Sequence, residues 1–284
     1  MVLMSGKELA DSIKAGVRAE ITANGLDVGL GVILIGDDPA SEKYVEIKKK
    51  ACEAAGIGFK LHRFTKSNSQ DEVLSLIRKM NSDEKVTGMF IQLPLPDGFV
   101  PNELLEAIDP DKDVDGLNSV NLGKLIKGLP GLFPATPEGV INLLRYYQIP
   151  LAGSKVAIVG QSNLVGRPLS QMLLTEEATV ISANKLTKEL KEVTLEADIV
   201  ISAVGKSKLI TADMVKNDAV VIDVGTSLYK GKLVGDVDFV GVSKKASYLT
   251  PSPGGVGPMT VAMLLSNLVK AYNFQHKRGN HGNK

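Results

Sequence analysis

Lys155-Val-Ala-Ile-Val-Gly160-Gln161-Ser162-Asn163-Leu164-Val165-Gly166-Arg167-Pro168 is the stretch that decides the fold. Residues 156–159 are an apolar run too short for a helix, which predicts a buried strand. The turn that follows begins at Gly160 and ends at Gly166, and an apolar helical pattern continues beyond Pro168. A strand, a glycine-rich turn and a helix start in this order direct backbone N–H groups and a helix dipole at one place, which favours a bound phosphate.

The glycine motif of this turn is Gly-x-Ser-x-x-x-Gly, with Ser162 in the place of the second glycine of Gly-x-Gly-x-x-Gly. An ordinary tight strand-to-helix turn has a similar sequence, so this stretch alone leaves both interpretations open. The rest of the second half favours the phosphate, because strand-like runs alternate with helical segments as in a doubly wound dinucleotide domain. These runs lie at residues 179–182, 199–204, 220–224 and 248–250.

The first half of the chain shows the same alternation. Apolar spacing predicts helices at 5–23, 40–55 and 71–81 and strands at 30–35, 59–64 and 86–93. Thr136 and Pro137 predict the capped start of a helix, the last helix is expected at 259–271, and the polar end at 275–284 is predicted to be disordered. The expected fold is α/β, with two α/β domains and a cleft between them. Residues 1–138 plus 262–284 form the first domain, and residues 139–261 form a Rossmann-type doubly wound domain that binds a dinucleotide.

Composition excludes several classes of protein. The chain has 284 residues, 33 basic and 32 acidic, so its net charge of +1 argues against nucleic acid or an anionic membrane as a partner. The sequence has no apolar run of the ~20 residues that a membrane span needs and no signal-type start, which predicts a cytoplasmic protein. The single cysteine, Cys52, allows no internal disulfide and argues against a thiolate metal site.

Acid–base chemistry is expected to fall to lysine and carboxylates, because the chain has only three histidines. Tyr44 and Lys48 are four residues apart and therefore share one face of the predicted helix. Lys48 also opens a run of three lysines, which is typical of a solvated face. The segment from Asp109 to Asn118 carries four aspartates. Its composition favours a solvated loop over a divalent metal site, and its spacing is not that of a calcium loop.

Six motifs in a fixed order carry a resemblance over essentially the whole chain. They are Ser41-x-x-Tyr44-Val-x-x-Lys48, Gln92-Leu-Pro-Leu-Pro96, Lys112-Asp-Val-Asp-Gly116, Asn121-Leu-Gly-Lys-Leu125, Thr136-Pro137 and Pro253-Gly-Gly-Val-Gly-Pro-Met-Thr260. Together they resemble the bifunctional methylenetetrahydrofolate dehydrogenase/methenyltetrahydrofolate cyclohydrolase family. The resemblance implies an enzyme of one-carbon metabolism and purine biosynthesis, with a tetrahydrofolate derivative as substrate, a homodimeric assembly and no metal.

The resemblance also implies a role for individual residues. Tyr44 is expected to stack on the aromatic part of the folate, Lys48 to be the catalytic lysine, Gln92 to hydrogen-bond Lys48, and Asp115 to anchor the pterin ring. The loop of Pro253, Gly254 and Gly255 is expected to line the same cleft. The residues expected at the cofactor are Gly160, Gln161, Ser162, Val165, Gly166, Lys185, Gly205 and Thr226.

Departures from the family pattern lie mostly on the cofactor side. Gln161 replaces a common arginine, and Asn184-Lys185 stand where His-Ser is frequent. The second strand of the dinucleotide domain has no acidic residue at its end, where an NAD site usually carries one, so NADP is expected in preference to NAD. Three alternatives stay open: a monofunctional dehydrogenase of the same family, a shikimate dehydrogenase-like enzyme, and a non-catalytic dinucleotide-sensing protein.

Overall fold

The computed structural model describes residues 1–229 and 232–279. In chain order the elements are β1 (Val2–Leu3), α1 (Lys7–Asn24), β2 (Gly29–Ile35), α2 (Pro39–Ala55), β3 (Gly58–Phe64), α3 (Gln70–Asn81), β4 (Gly88–Ile91), α4 (Pro101–Glu106), α5 (Ser119–Ile126), α6 (Ala135–Tyr146), β5 (Lys155–Val159), α7 (Gly166–Thr175), β6 (Thr179–Ala183), α8 (Leu190–Leu195), β7 (Ile199–Ser202), a 3₁₀ turn (Ala212–Met214), β8 (Val220–Asp223), β9 (Ser227–Tyr229), β10 (Lys232–Val234), α9 (Phe239–Val242), β11 (Tyr248–Leu249) and α10 (Val256–Gly279).

The chain forms two compact units. The six-stranded unit comprises Met1–Asp11 and Thr136–Thr260, and the three-stranded unit comprises Ser12–Ala135 and the chain from Val261 onward. The sequence-based division placed Met1–Asp11 in the first domain, whereas by their contacts these residues group with the six-stranded unit. These residues join the six-stranded unit because β1 pairs in parallel with β11, a contact between the two ends of the chain that no local pattern encodes.

The six-stranded sheet is parallel throughout, in the order β1-β11-β8-β7-β5-β6. Strands β5, β7 and β8 in its interior are buried on both faces, which explains their continuous apolar runs. The order in which the chain adds strands to the sheet reverses at β5, because β6 lies on one side of β5 and β7 on the other. In doubly wound sheets the ligand binds at such a reversal, beside the carboxyl ends of the strands. The fold class is therefore as predicted.

The three-stranded sheet has β2 at its centre, paired in parallel with β3 and β4. Alternate side chains of β2 enter two different cores, because successive residues of a strand point to opposite faces. Val32 and Leu34 pack with residues of α2 and α10, whereas Ile33 and Ile35 pack with residues of α3 and α4. This double burial fixes the carboxyl end of β2, from which α2 departs.

Two further predictions about helix ends are wrong. Helix α6 begins at Ala135, so Thr136 lies inside the helix instead of capping it, and its hydroxyl shares a hydrogen bond of 2.9 Å with that of Thr260. Helix α10 continues to Gly279, so residues 275–279 are helical. Gln275 stabilises this end by donating to the carbonyl oxygens of Thr87 and Asp111 at 2.8 and 2.9 Å. Residues 280–284, also predicted to be disordered, lie outside the described residues.

Helices α4 and α5 and the β9–β10 hairpin were not predicted from the sequence. None of the helices in the described part of the chain has the length and apolar character that crossing a bilayer requires.

Candidate active site

Tyr44 and Lys48 lie on helix α2, which begins shortly after the carboxyl end of β2. The helix starts where Asp38 accepts a hydrogen bond from the backbone N–H of Ser41 at 2.8 Å, with Pro39 in the first turn. This combination of an aspartate cap and an early proline specifies the first turn. Gly56 ends the helix in the left-handed conformation, with φ of 77°. Both ends are fixed, so the positions of Tyr44 and Lys48 along the helix are also fixed.

Lys48 is buried, with only 8% of its surface exposed, and it is the exception in its lysine run. Lys49 and Lys50 lie at the surface beside Glu53 and Glu46. The Nζ of Lys48 instead lies 3.8 Å from the centre of the Phe90 ring and donates a hydrogen bond of 3.2 Å to Oε1 of Gln92. Burial lowers the pKa of Lys48, and the negative charge of Asp115 opposes that shift. A buried amine with a lowered pKa can exchange protons nearer to neutral pH.

Gln92 follows β4 directly and extends its pairing with β2, because its backbone N–H donates to the carbonyl of Ile33 at 2.9 Å. Its side-chain nitrogen donates to the carbonyl of Leu93 at 2.8 Å. The amide oxygen is thereby oriented toward Lys48. The next peptide bond, between Leu93 and Pro94, is cis.

The aspartate-rich segment is not a solvated loop, contrary to the interpretation favoured by its composition. Asp113 is 1% exposed and accepts hydrogen bonds from the N–H groups of Gly116 and Asn118 and from Nδ2 of Asn121 at 3.0, 2.8 and 3.2 Å. Burial raises the pKa of Asp113 to about 6, although these hydrogen bonds oppose the shift. Lys112 is also buried and donates to the carbonyls of Met80 and Asp83.

This folded segment carries Asp115 to the end of β4. Asp113 forms a parallel bridge with Met89 of β4, and Asp115 lies in the turn that follows, which the N–H of Gly116 closes on the carbonyl of Asp113 at 3.1 Å. Helix α10 stabilises the segment, because Nδ2 of Asn267 donates to the carbonyls of Val114 and Phe133 at 3.0 and 2.8 Å. Asp115 itself is partly buried. The three-stranded unit thus brings Lys48 together with Gln92 and within reach of the charge of Asp115, while Tyr44 lies one turn before Lys48 on α2.

Ser41, the first residue of the motif that contains Tyr44 and Lys48, lies on the same helix. Ser41 is buried, and its backbone and side chain together lower the pKa of Asp38. Ser41 lies seven residues before Lys48, hence on the same face of α2.

The glycine-rich turn of the six-stranded unit needs both of its glycines. Gly160 has φ of 104°, and a Cβ there would lie 2.4 Å from the carbonyl oxygen of Ala203. A Cβ on Gly166 would lie 1.9 Å from the carbonyl oxygen of Gly160. Ser162 shapes the turn between them, since its Oγ accepts from the N–H of Val165 at 3.2 Å. Gln161 donates back to the carbonyl of Ile158 at 3.3 Å.

Helix α7 starts immediately after this turn. Among the described residues no side chain caps its first turn at Val165. The N–H of Arg167 donates to the carbonyl of Ser162 at 3.1 Å and Pro168 has no N–H, so the N–H of Gly166 is the backbone donor that this turn can offer to an anion. Arg167 in that turn donates to Oδ1 of Asn163 at 2.8 Å. The close approach of Gly160 to the neighbouring strand and the uncapped helix start fit the pyrophosphate of a dinucleotide.

The remaining predicted cofactor residues follow neighbouring strands of this sheet. Gly205 comes after β7, with φ of 77°, and a Cβ there would lie 3.5 Å from the carbonyl of Thr226, which comes after β8. Lys185 comes after β6 and is exposed. Its turn is fixed by Asn184, whose Oδ1 accepts from the N–H of Leu186 at 2.9 Å.

The loop of Pro253, Gly254 and Gly255 belongs to the six-stranded unit. The N–H of Gly255 donates to the carbonyl of Pro251 at 2.8 Å, and the carbonyl of Gly254 accepts from the N–H of Gly6 at 3.0 Å. Gly254 has φ of 111°, and the Ser252–Pro253 peptide bond is cis. The described residues contain no cluster of three or more histidine, cysteine or carboxylate groups that could hold a metal ion.

Two family models match the chain. Residues 4–115 match the catalytic domain of tetrahydrofolate dehydrogenase/cyclohydrolase, and residues 134–276 match the NAD(P)-binding domain of the same enzymes. A relative from Nautilia profundicola, the bifunctional protein FolD, is 49% identical over 275 residues, which are 95% of this chain and 97% of the relative.

Solved structures give the same result. The bifunctional enzyme FolD, a methylenetetrahydrofolate dehydrogenase/cyclohydrolase from Campylobacter jejuni, is 46% identical with a TM-score of 0.93, covering 97% of this chain and 99% of that one. The Trypanosoma brucei enzyme, complexed with NADP cofactor and inhibitor, is 32% identical with a TM-score of 0.93, covering 98% and 99%.

Proposed function

Because the chain belongs to the tetrahydrofolate dehydrogenase/cyclohydrolase family, we propose that it catalyses two consecutive reactions of one-carbon metabolism. It oxidises 5,10-methylenetetrahydrofolate to 5,10-methenyltetrahydrofolate with NADP and then hydrolyses the product to 10-formyltetrahydrofolate. The observation that carries the second activity is the buried Lys48, paired with the neutral amide of Gln92 and close enough to Asp115 to interact with its charge.

The oxidation needs positioning more than acid–base chemistry. The carbon to be oxidised lies between two nitrogens, whose lone pairs expel hydride without loss of a proton from carbon. NADP, when bound, accepts that hydride. The protein's part is to hold the substrate still, and Tyr44 and Asp115 are the residues that we assign to this task. Tyr44 stacks on the aromatic part of the folate, and Asp115 accepts charge-assisted hydrogen bonds from the pterin amino and ring N–H groups.

The hydrolysis needs a group that moves protons. Lys48, as the free amine, accepts a proton from the water that attacks the methenyl carbon, and the resulting ammonium passes it to the departing nitrogen as the carbon–nitrogen bond breaks. The second proton of the water is released to solvent as the hydroxyl oxygen becomes the formyl carbonyl. Burial lowers the pKa of Lys48 and thus makes the free amine available. Gln92 orients the amine without adding charge. Pro253, Gly254 and Gly255 keep the substrate-binding role that the resemblance implies for them.

The cofactor is assigned to the six-stranded unit. Gly160, Gln161, Ser162, Val165 and Gly166 surround its pyrophosphate, supported by the close packing of Gly160 and the uncapped start of α7. Gly205 and Thr226 border it at the ends of β7 and β8. Lys185 faces the 2′-phosphate, since the end of β6 carries no acid that would repel it.

The bifunctional enzyme is favoured over the three alternatives considered above. The family models and relatives support both activities over a monofunctional dehydrogenase or a non-catalytic sensor. A shikimate dehydrogenase-like enzyme would have no need of the buried Lys48–Gln92 pair. The homodimer, the cytoplasmic location and the contribution to purine biosynthesis stay predictions from the sequence.

The deciding experiment is an absorbance assay with methylenetetrahydrofolate, run in parallel with NADP and NAD, together with a separate assay of methenyltetrahydrofolate hydrolysis. We expect both activities in one preparation, with the higher catalytic efficiency for NADP. Oxidation without hydrolysis would indicate the monofunctional enzyme, and binding of NADP without either activity would indicate the sensor.

A further inference from the structure

A buried carboxylate shapes the β7 loop, residues 203–206. Asp236, which follows the β9–β10 hairpin, is fully buried. Its Oδ2 accepts hydrogen bonds from Oγ of Ser202 at 2.8 Å and from the N–H groups of Val204 and Gly205 at 2.7 and 3.2 Å. Its Oδ1 accepts from the N–H of Lys206 at 2.7 Å. Four donors from one short segment therefore converge on a single side chain, which fixes the path of the loop.

A second buried carboxylate holds Asp236 in place. Asp223, the last residue of β8, accepts from the N–H groups of Asp236 and Val237 at 2.8 and 3.1 Å. Glycines give the two carboxylates their space, because a Cβ on Gly225 would lie 2.1 Å from the Asp236 carboxyl and one on Gly235 would lie 1.9 Å from Oδ2 of Asp223. Such tight packing leaves neither side chain an alternative position.

The β7 loop borders the glycine-rich turn. A Cβ on Gly160 would lie 2.4 Å from the carbonyl oxygen of Ala203 and 3.2 Å from a methyl group of Val204. This contact lies where the sheet order reverses, the usual ligand position in this fold. The N–H groups of residues 204–206 are all used by Asp236. The loop therefore offers a ligand an apolar surface, the side chain of Val204, which is 46% exposed.

We propose that Asp236 is a positioning residue for the dinucleotide: its carboxylate fixes the β7 loop so that Val204 packs against the bound cofactor. The proposal rests on the function proposed above. It assigns to Asp236 a role that depends on its negative charge and on two acceptor oxygens. An asparagine of nearly the same volume keeps only one acceptor oxygen and turns an NH₂ group toward backbone donors.

The test is Asp236→Asn, with both activities measured on the same preparation. Hydrolysis of methenyltetrahydrofolate requires no dinucleotide and therefore serves as an internal control. We expect the KM for NADP to rise at least tenfold while kcat/KM for hydrolysis stays within twofold of the parent. A purely structural role would lower both activities in proportion and leave the KM for NADP unchanged, and that result would overturn the proposal.

Val204→Ala tests whether Val204 packs against the cofactor, and it does so even if the Asp236 variant does not fold. This variant leaves Asp236 and the backbone N–H groups that bind it intact. We expect at least a threefold rise in the KM for NADP, and an unchanged KM would overturn the proposal. Val240→Ala is the matched control, because Val240 is a more exposed valine in α9 of the same unit, and it should behave like the parent. A parent without either activity would refute the proposed function, whereas an active parent with a normal Val204 variant refutes this inference alone.

Discussion

Lys48 donates its hydrogen bond to an amide oxygen of Gln92, 3.2 Å away, and not to a carboxylate. A carboxylate in that place would stabilise the ammonium form and raise the pKa of the lysine. The neutral amide holds the amine in position and leaves burial to lower its pKa. The pair is therefore suited to repeated gain and loss of a proton, which the proposed hydrolysis requires and the oxidation does not.

Lys48→Ala should abolish hydrolysis and leave measurable hydride transfer. General acid–base groups contribute ~10²–10⁴-fold, so the loss of hydrolysis should fall in this range. Single-turnover hydrolysis and cofactor reduction would be followed separately. Lys49→Ala is the matched control on the exposed side of the same helix and should retain both activities. Equal residual activity of the Lys48 variant in both reactions would contradict the assignment.

Gln92→Glu should move the pH profile of hydrolysis to higher pH. Hydrolysis needs the free amine of Lys48, so activity rises with pH through the pKa of that group. A carboxylate beside the amine raises this pKa, and more base is then needed to release the proton. Asp115→Asn should have the opposite effect, because the charge of Asp115 raises the pKa of Lys48. Profiles of kcat that shift in the same direction in both variants would reject this account.

Asp115→Ala should impair both reactions, because the two steps share the anchoring of the pterin. A hydrogen bond to a charged group contributes roughly 1.5–3 kcal/mol, which predicts at least a tenfold loss of affinity. Calorimetric titration with the folate substrate measures it directly. Asp111→Ala is the control, an aspartate of the same segment that lies 3.9 Å from Lys124. If the Asp115 variant bound folate as tightly as the control, the anchoring role would be wrong.

Lys185→Ala should weaken NADP more than NAD. Lys185 is exposed at the end of β6, where an NAD site usually has an acid, and only NADP carries the 2′-phosphate that a lysine there would attract. Steady-state kinetics with both cofactors should show a lower preference for NADP in the variant, with NAD kinetics unchanged. Lys188→Ala, another exposed lysine of the same connection, is the control. If both variants kept the preference for NADP over NAD, Lys185 would be a solvated surface residue without a role at the 2′-phosphate.

Asp113→Asn should remove a pH dependence of stability. Burial raises the pKa of Asp113 to about 6 in the folded protein, from 3.8. The folded state therefore binds the proton more tightly than the unfolded state, and stability from this group falls as pH rises from about 4 to about 6. At 1.36 kcal/mol per pKa unit, the free energy of unfolding of the parent relative to the variant should fall by up to about 3 kcal/mol across this window. Denaturant titrations at pH 4 and pH 7 measure the difference, and a rise would show that the hydrogen bonds to Asp113 outweigh its burial.

The sequence by itself determined the elements whose signals are local. Strand β5, its turn and helix α7 are specified by neighbours within fourteen residues: an apolar run, two glycines that must lack a Cβ, and a helical repeat. The same holds for β2, whose unbroken apolar run follows from burial on both faces. The order of the motifs supplied the family, and spacing alone placed Tyr44 and Lys48 on one helical face.

Only the tertiary structure decided which polar residues are buried. Lys48 and Lys49 are adjacent and chemically identical, yet Phe90 and Gln92, more than forty residues away, surround only the first. Asp113 is buried, although the composition of its segment favours a solvated loop, and Asp236 is enclosed by donors from residues 202–206. Strand β1 pairs with β11, although almost the whole sequence separates the two strands. These contacts depend on the packing of distant segments against each other, and no periodicity within one segment encodes that packing.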